Sequence, residues 1–463
     1  MTSHSTHANS PERAEYSLSL GQERIWRFGL REPDSSLYHI PLMAHLLGPL
    51  NPDALRSALF QVIARHDALC FRVRAGTALP IGDGSARQAI LSVEDLTRRV
   101  PAFDAIAADM IRKEATRPFD LESAPPLRAR LVRLDPELHW LLLTFHHIAV
   151  DAWSLAIIFR ELGASYAARL SGVPAQLATP KLRYVDFAAS QRERLANGAL
   201  ENQLAFWRDR LRGQVSVRPP SPEGSSPARF RAGVCRFELP ADLVAQVEAL
   251  GRQARATPHM TLLALFQAWL SHRTGAETVL VGTPVACRSS VETESVVGLF
   301  VNTAVLRADL AGNPPFRALL DQVRRECLAA LSHQEVPFER VFAEVCPGAD
   351  PDRNPGFQAW FVLRNQRTPW TEPELELPGV SVEFRDIDPE TVRFDLKLDI
   401  TARPGPYRAR LEFNRDVTTE ASAASMASEL GAFMRIASQE PHLGIAELGQ
   451  RASARCSSAV PNS

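Results

Sequence analysis

With 463 residues the chain exceeds the size at which single hydrophobic cores stop growing, so two lobes of about 200 residues each are expected. Hydrophobic residues make up 45% and charged residues 23%, which fits a globular chain and excludes a disordered one. The formal net charge is -1 and the arginines are scattered, so the basic stripe of a nucleic-acid binder is missing.

Lysine occurs only at Lys113, Lys181 and Lys397, which reads as genome composition rather than phosphate recognition. The six cysteines (Cys70, Cys235, Cys287, Cys327, Cys346, Cys456) stand far apart with no CxxC pair. They suggest neither a disulfide framework nor a zinc site, and a reducing, cytoplasmic setting is expected. Residues 1–14 are polar and lack the apolar core of a signal peptide, and no run approaches the roughly 18 apolar residues of a membrane span. A disordered tail over 1–14 and a chain that is neither exported nor membrane-bound are expected.

Asn51-Pro52 places a capping residue before a proline suited to the first helical turn, and Leu55, Leu59, Val62 and Ile63 recur at helical spacing. A helix over 52–67 is predicted. The run 138–145, LHWLLLTF, has strand length and is apolar throughout, as for a strand covered on both faces. It leads into His146 and His147.

Beyond Trp153, the residues Leu155, Ile158, Phe159, Leu162 and Tyr166 mark one face of a helix reaching about Arg169, where Ser171-Gly172-Val173-Pro174 stops it. The histidines therefore occupy a strand-to-helix turn. A lobe boundary is placed near residue 178, before a helical block at 184–211. The Pro-, Ser- and Gly-rich stretch 213–228 reads as an exposed loop. A strand at 279–285, a helix at Phe316–Ser332 and a strand at Ala359–Arg364 complete a mixed α/β order, and 441–463 reads as a polar tail.

An adjacent histidine pair followed four positions later by Asp151 suggests a base with an orienting carboxylate, because imidazole titrates near neutral pH. Two polar residues at a strand end would look the same. His147 and Asp151 could also bind zinc, but no third ligand stands at a familiar spacing. No GxSxG nucleophile elbow and no GxxxxGK phosphate loop occurs.

HHIAVDAWS at 146–154 resembles the HHxxxDG motif of the condensation domains of nonribosomal peptide synthetases, relatives of chloramphenicol acetyltransferase. Further blocks resemble that family in its order: SLSLGQERIW at 17–26, RHDAL at 65–69, YVDFA at 184–188, VGLFVNTAVLR at 297–307, HQEVPFERV at 333–341 and DRNPGFQ at 352–358. The resemblance runs from about Tyr16 to about Ala437. It implies an α/β fold of two chloramphenicol-acetyltransferase-like lobes, 15–178 and 179–440, set in a V-shaped pseudo-dimer with a tunnel between them.

The resemblance also implies roles. An acyl, aminoacyl or peptidyl thioester on the phosphopantetheine arm of a carrier protein meets an amine or alcohol acceptor at His147, which takes the acceptor's proton or steadies the tetrahedral intermediate. His146 and Asp151 surround it, and Asp151 pairs with Arg288, after GTPVAC, in a bridge linking the lobes. Trp153 and Ser154 follow as positioning residues, Ser154 serving the intermediate or capping the helix. Asn302 is expected to orient a substrate amide. Arg65, His66 and His333 are expected at helix ends and in packing at the lobe interface.

Ala152 stands where the family has glycine, putting donor fit in question. No permanently bound cofactor and no metal are implied. No adenylation region or GGxSL carrier motif follows, so the carrier is expected in trans to a free-standing monomer. A CoA-dependent acyltransferase, an epimerase and an inactive recruitment module are the alternatives; the intact HHxxxD argues against the last.

Overall fold

The computed structural model describes residues 15–81, 90–97, 103–213, 231–347, 357–365 and 374–458. The expected tail at 1–14, the stretch 214–230 and most of the DRNPGFQ block lie outside them. The chain divides into two compact units. The first is Met1–Ala199 together with Arg288–Phe300 and Glu372–Ile387, and the second takes Leu200–Cys287, Val301–Thr371 and Asp388–Ser463.

The first unit is built on a five-stranded sheet in the order Ser381–Arg385, His39–Leu47, Leu138–His146, Leu127–Asp135, Leu91–Asp95. All neighbours are antiparallel except the last pair. Leu138–His146 is central and covered on both faces, as its unbroken apolar run requires. On one face Trp140 and Leu142 pack with Met43, Val132 and Met110 of the helix Phe103–Thr116. Leu141, Leu143 and Phe145 point the other way and are fully buried.

The helix Pro52–Arg65 begins as its sequence dictates, with the Asn51 side chain accepting from the N–H groups of Asp53 and Ala54. It stops two residues before the predicted end because His66 turns extended and its ring meets the buried Glu161 at 2.9 Å, beside Arg65 Nε, also at 2.9 Å. The helix Ala152–Ser171 ends on Gly172 at φ 74°, the left-handed position that favours glycine.

The second unit carries a six-stranded sheet in the order Asn302–Asp309, Thr278–Val285, Ala359–Arg364, Leu396–Thr401, Tyr407–Asn414, Ala232–Leu239. Helices including Pro258–Thr274, Phe316–Ser332 and Glu420–Gln439 pack around it. The α/β class and the strand and helix expected at 279–285 and Phe316–Ser332 are present.

The expected helical block 184–211 consists of two helices, Tyr184–Ala196 and Glu201–Leu211, separated by a turn in which Gly198 takes φ 77°. Two expectations need correction. The first unit runs to Ala199 rather than 178, and later segments return to it.

The supposed tail from 441 contains the helix Ile445–Ser458, whose Ile445, Leu448 and Ala452 are buried at a spacing of three and four. It is fastened by Glu429, which accepts from Ser453 Oγ at 2.9 Å, Trp269 Nε1 at 3.2 Å and Arg273 Nη1 at 2.6 Å. Leu448→Ala should therefore cost about 2–5 kcal/mol in urea unfolding, the range for emptying a leucine site in a packed core. A loss below about 0.5 kcal/mol, the surface value, would mean that this helix is not part of the fold.

Candidate active site

The site forms where Leu138–His146 runs out of strand. Ile148, Ala149 and Val150 are wholly buried, so the turn has to satisfy its backbone inside the protein. His147 N–H donates to Tyr38 C=O at 2.8 Å and Ala149 N–H to His146 C=O at 3.0 Å. The Ile148 carbonyl accepts from Gln22 Nε2 at 2.9 Å. Gln22 is itself fixed by a capping box with Ser19 at the start of the helix Leu20–Arg31.

The two histidines differ in environment. His146 is buried between the edges of Phe119 and His39, with ring centroids at 5.3 and 5.9 Å, and its Nδ1 accepts the Ile148 N–H at 3.2 Å. It is therefore neutral with its proton on Nε2, and burial, then the positive charge of its neighbours, holds its pKa well below 6.5. His146 is part of the scaffold.

His147 keeps a partly exposed ring. Burial is again the largest influence and lowers its pKa, while its own carbonyl, Asp151 and the Val150 carbonyl work the other way. Neither carbonyl reaches Nδ1 in hydrogen-bonding geometry, so this buried nitrogen has no partner among the described residues. The ring is a neutral imidazole near pH 7; its buried Nδ1 is out of an acceptor's reach, so Nε2, which no described residue engages, is the atom able to take a proton.

Because His146 binds protons more readily unfolded than folded, the stability it supports is complete above pH 6.5 and lost as pH falls below it. Melting temperature should drop between pH 7 and 5, and His146→Gln should flatten that drop. An unchanged slope in the variant would place the acid sensitivity elsewhere.

Asp151 does two things at once. As helix cap its Oδ1 accepts from Ser154 N–H at 2.8 Å, and it pairs with Arg288 Nη2 at 3.1 Å; its Oδ2 accepts from Phe300 N–H at 3.1 Å. The two side chains are 4% and 1% exposed, so the pair is dry. Burial lowers the Arg288 pKa and Asp151 opposes the shift. Arg288 Nη1 donates to the Val296 carbonyl at 2.7 Å and to Thr293, and its guanidinium lies 4.0 Å over the Phe300 ring.

The predicted Asp151–Arg288 pair is thus present, but within the first unit rather than between two, because Arg288–Phe300 folds back into it. Cys287, just before that segment, takes φ 50°, a strained position for a side chain with a Cβ.

Trp153 anchors the same segment by donating from Nε1 to the Glu294 carbonyl at 2.9 Å. Ser154 is neither the cap nor open to a substrate. It is fully buried, its hydroxyl standing 2.7 Å from Asp151 Oδ1 and 2.8 Å from the Gly298 carbonyl and accepting from Gly298 N–H at 3.0 Å.

Ala152 opens the helix and is not among the residues at positive φ, so its backbone does not demand the glycine of the family pattern. Asn302 belongs to the second unit. Its Nδ2 donates to the carbonyls of Gln334 at 2.9 Å and Val336 at 2.7 Å, and its Oδ1 accepts from Thr303 and Phe338 N–H at 2.8 and 3.0 Å. Both amide hydrogens and both lone pairs are used, so it holds the segment 334–338 and has nothing left for a substrate amide. His333, like His66, sits at a helix end, its ring stacked on Phe206 at 3.9 Å.

Several residues without a prior role complete the site. Tyr184 donates to the Leu299 carbonyl at 2.8 Å and lies 2.9 Å from Ser19 Oγ, joining the Gln22 support to the Arg288–Phe300 segment. A Cβ on Gly298 would sit 1.9 Å from the Tyr184 ring, so only glycine fits there. Among the described residues no three His, Cys, Asp or Glu side chains gather as a metal site would need. No described helix is long and apolar enough to cross a membrane.

Comparison with known proteins identifies the family and the fold. The chain is 35% identical over 405 residues to the malpinin synthetase of Mortierella alpina, which covers 86% of this chain and 5% of that one. It is 32% identical over 446 residues to the phosphinothricin tripeptide synthetase of Streptomyces viridochromogenes, covering 93% and 40%. The chain thus spans less than half the length of these relatives. The crystal structure of the X-domain from teicoplanin biosynthesis superposes with a TM-score of 0.85 at 24% identity, covering 94% of this chain and 99% of that one, which establishes the two-lobed, chloramphenicol-acetyltransferase-like fold. The sequence model described as Condensation domain matches residues 12–454, and the chain belongs to that family.

Proposed function

We propose that this chain transfers an acyl, aminoacyl or peptidyl group from a carrier-protein phosphopantetheine thioester to an amine or hydroxyl acceptor. The observation that carries the reading is His147, a neutral, partly exposed imidazole with an uncommitted nitrogen, on a turn braced from Gln22, Tyr38 and Asp151. The acceptor's nitrogen or oxygen attacks the thioester carbonyl while His147 takes its proton. The C–S bond then breaks, the amide or ester forms, and the proton leaves on the pantetheine thiolate. His146 and Asp151 are positioning residues, with Arg288, Trp153 and Ser154 fixing the segment opposite. The phosphopantetheine arm is substrate rather than resident cofactor. Ala152, beside Asp151, is the position at which donor fit would differ from glycine-bearing relatives.

The test is to supply an acyl-loaded carrier with candidate amines and alcohols and follow product mass, with His147→Ala as control. Product from the wild type and little from the variant is expected. Equal turnover by the variant would remove the base role, equal use of acyl-CoA would favour a CoA-dependent transferase, and carrier binding without transfer would favour a recruitment module.

A further inference from the structure

We propose that Asn197 is a self-modification site: its side-chain amide closes onto the Gly198 nitrogen, loses ammonia and opens in water to aspartate and isoaspartate. This does not rest on the transferase reading.

Asn197-Gly198 is the only Asn-Gly step in the chain. A five-membered imide forms when a backbone nitrogen attacks the side-chain carbonyl carbon of the asparagine before it, and a Cβ on the attacking residue obstructs that approach. Glycine has none.

The fold explains why these two residues stand together. The helix Tyr184–Ala196 ends in a Schellman turn, with Ala199 N–H donating to Arg194 C=O at 3.0 Å and Gly198 N–H to Leu195 C=O at 3.4 Å. Gly198 fills the left-handed position of that turn at φ 77°, and Asn197 precedes it as the helix cap.

Ring closure needs rotation of the Asn197 Cα–C bond away from its ψ of 3°, so that Cγ meets the Gly198 nitrogen. Opposing that rotation are the two turn bonds and a third from Ala199 N–H to Asn197 Oδ1 at 3.1 Å. They lie at a fraying helix end, where local opening costs least. Ala196, Asn197, Gly198 and Ala199 are all exposed, and a Cβ on Gly198 would meet no atom within 4 Å. Asn197 Nδ2, the departing nitrogen, makes no hydrogen bond to a described residue. Asn202, by contrast, lies in the helix Glu201–Leu211 and precedes Gln203, whose side chain crowds the approach.

In the first step the bond from Gly198 nitrogen to Asn197 Cγ forms, the Cγ–Nδ2 bond breaks, and the proton shed by the Gly198 nitrogen leaves on Nδ2 as ammonia. Water then opens the imide at either carbonyl. One opening gives aspartate, the other isoaspartate, whose main chain runs through the side-chain carbons and is one atom longer. Both products place a negative charge at a helix C-terminus, where the dipole disfavours it. The longer backbone falls just before the buried Leu200, at which the chain passes into the second unit.

The test is to incubate the full chain at pH 7 and pH 8 beside a guanidinium-unfolded sample, then map the tryptic peptide Leu195–Arg208 by mass and retention. The folded chain should gain at Asn197 the one mass unit that separates acid from amide, at a rate within about tenfold of the unfolded chain, as expected of a frayed end. Two isomers are expected, one of them a substrate for a protein isoaspartyl methyltransferase, and both should form faster at pH 8 because the nitrogen attacks after losing its proton. Asn202 in the same peptide should keep its amide, and Asn197→Gln should yield neither product, since its longer side chain closes a larger ring far more slowly.

An unmodified folded chain beside a converted unfolded one would overturn the proposal. Aspartate formed without isoaspartate would also overturn it, because direct hydrolysis of the amide gives aspartate alone. Should the variant not fold, the wild-type map still decides.

Discussion

Arg288→Ala is expected to destabilise the protein by about 3–5 kcal/mol in urea unfolding, because it strands the Asp151 carboxylate in a dry site. The Asp151 side chain would keep the Ser154 and Phe300 N–H groups but lose the Arg288 countercharge, and the carbonyls of Thr293 and Val296 would lose a shared donor. A double-mutant cycle separates charge from packing. Asp151→Asn keeps a capping oxygen while removing the charge, so it too should be costly alone. Combined with Arg288→Met, it should cost less than the sum of the two by about 0.5–3 kcal/mol, as for residues in direct contact. Strict additivity would show that the pair contributes only as two separate side chains.

This pair also shows what the sequence could carry. The histidine strand, its turn and the following helix are local features, legible because apolar run, cap and stop signal occur in one stretch of 35 residues, from Leu138 to Gly172. Asp151 and Arg288 are 137 positions apart and were paired only through resemblance to a family. That resemblance put Arg288 in the second lobe, whereas the return of Arg288–Phe300 to the first unit depends on Trp153, Ser154, Gly298 and Tyr184 docking together. Gln22 was equally hidden: its block was recognised, but an amide 126 positions from the Ile148 carbonyl it holds has no local signature.

The places where structure departs from sequence expectation have the same origin. Asn302 looked available because an asparagine in a polar block can serve a ligand or a loop, and only the positions of Gln334, Val336 and Phe338 show that the loop has all of it. The last helix looked like a tail because Ile445, Leu448 and Ala452 are its whole apolar stripe, too sparse to register without the groove they fill. The boundary near 178 followed a proline and glycine signal that marks a connection within the first unit, whereas the chain changes units at the turn carrying Gly198.

His147→Ala is expected to lower kcat by about 10²–10⁴, the contribution of a positioned proton acceptor, with the KM for the loaded carrier little changed. The pH profile makes the test specific. Burial lowers the His147 pKa below 6.5, so the imidazole remains neutral through pH 7 and the wild-type rate should be level there. As pH falls below 6.5 the ring gains a proton, loses its accepting lone pair and the rate declines; the residual rate of the variant should lack that limb. His146→Gln provides the control, because it alters the support of the turn and its acid stability while leaving the His147 ring in place. A variant at His147 that kept the acid limb, at whatever rate, would assign the titration to another group and reduce His147 to a positioning residue. Loss of the limb together with the fall in kcat would place the proton of the attacking acceptor on this ring.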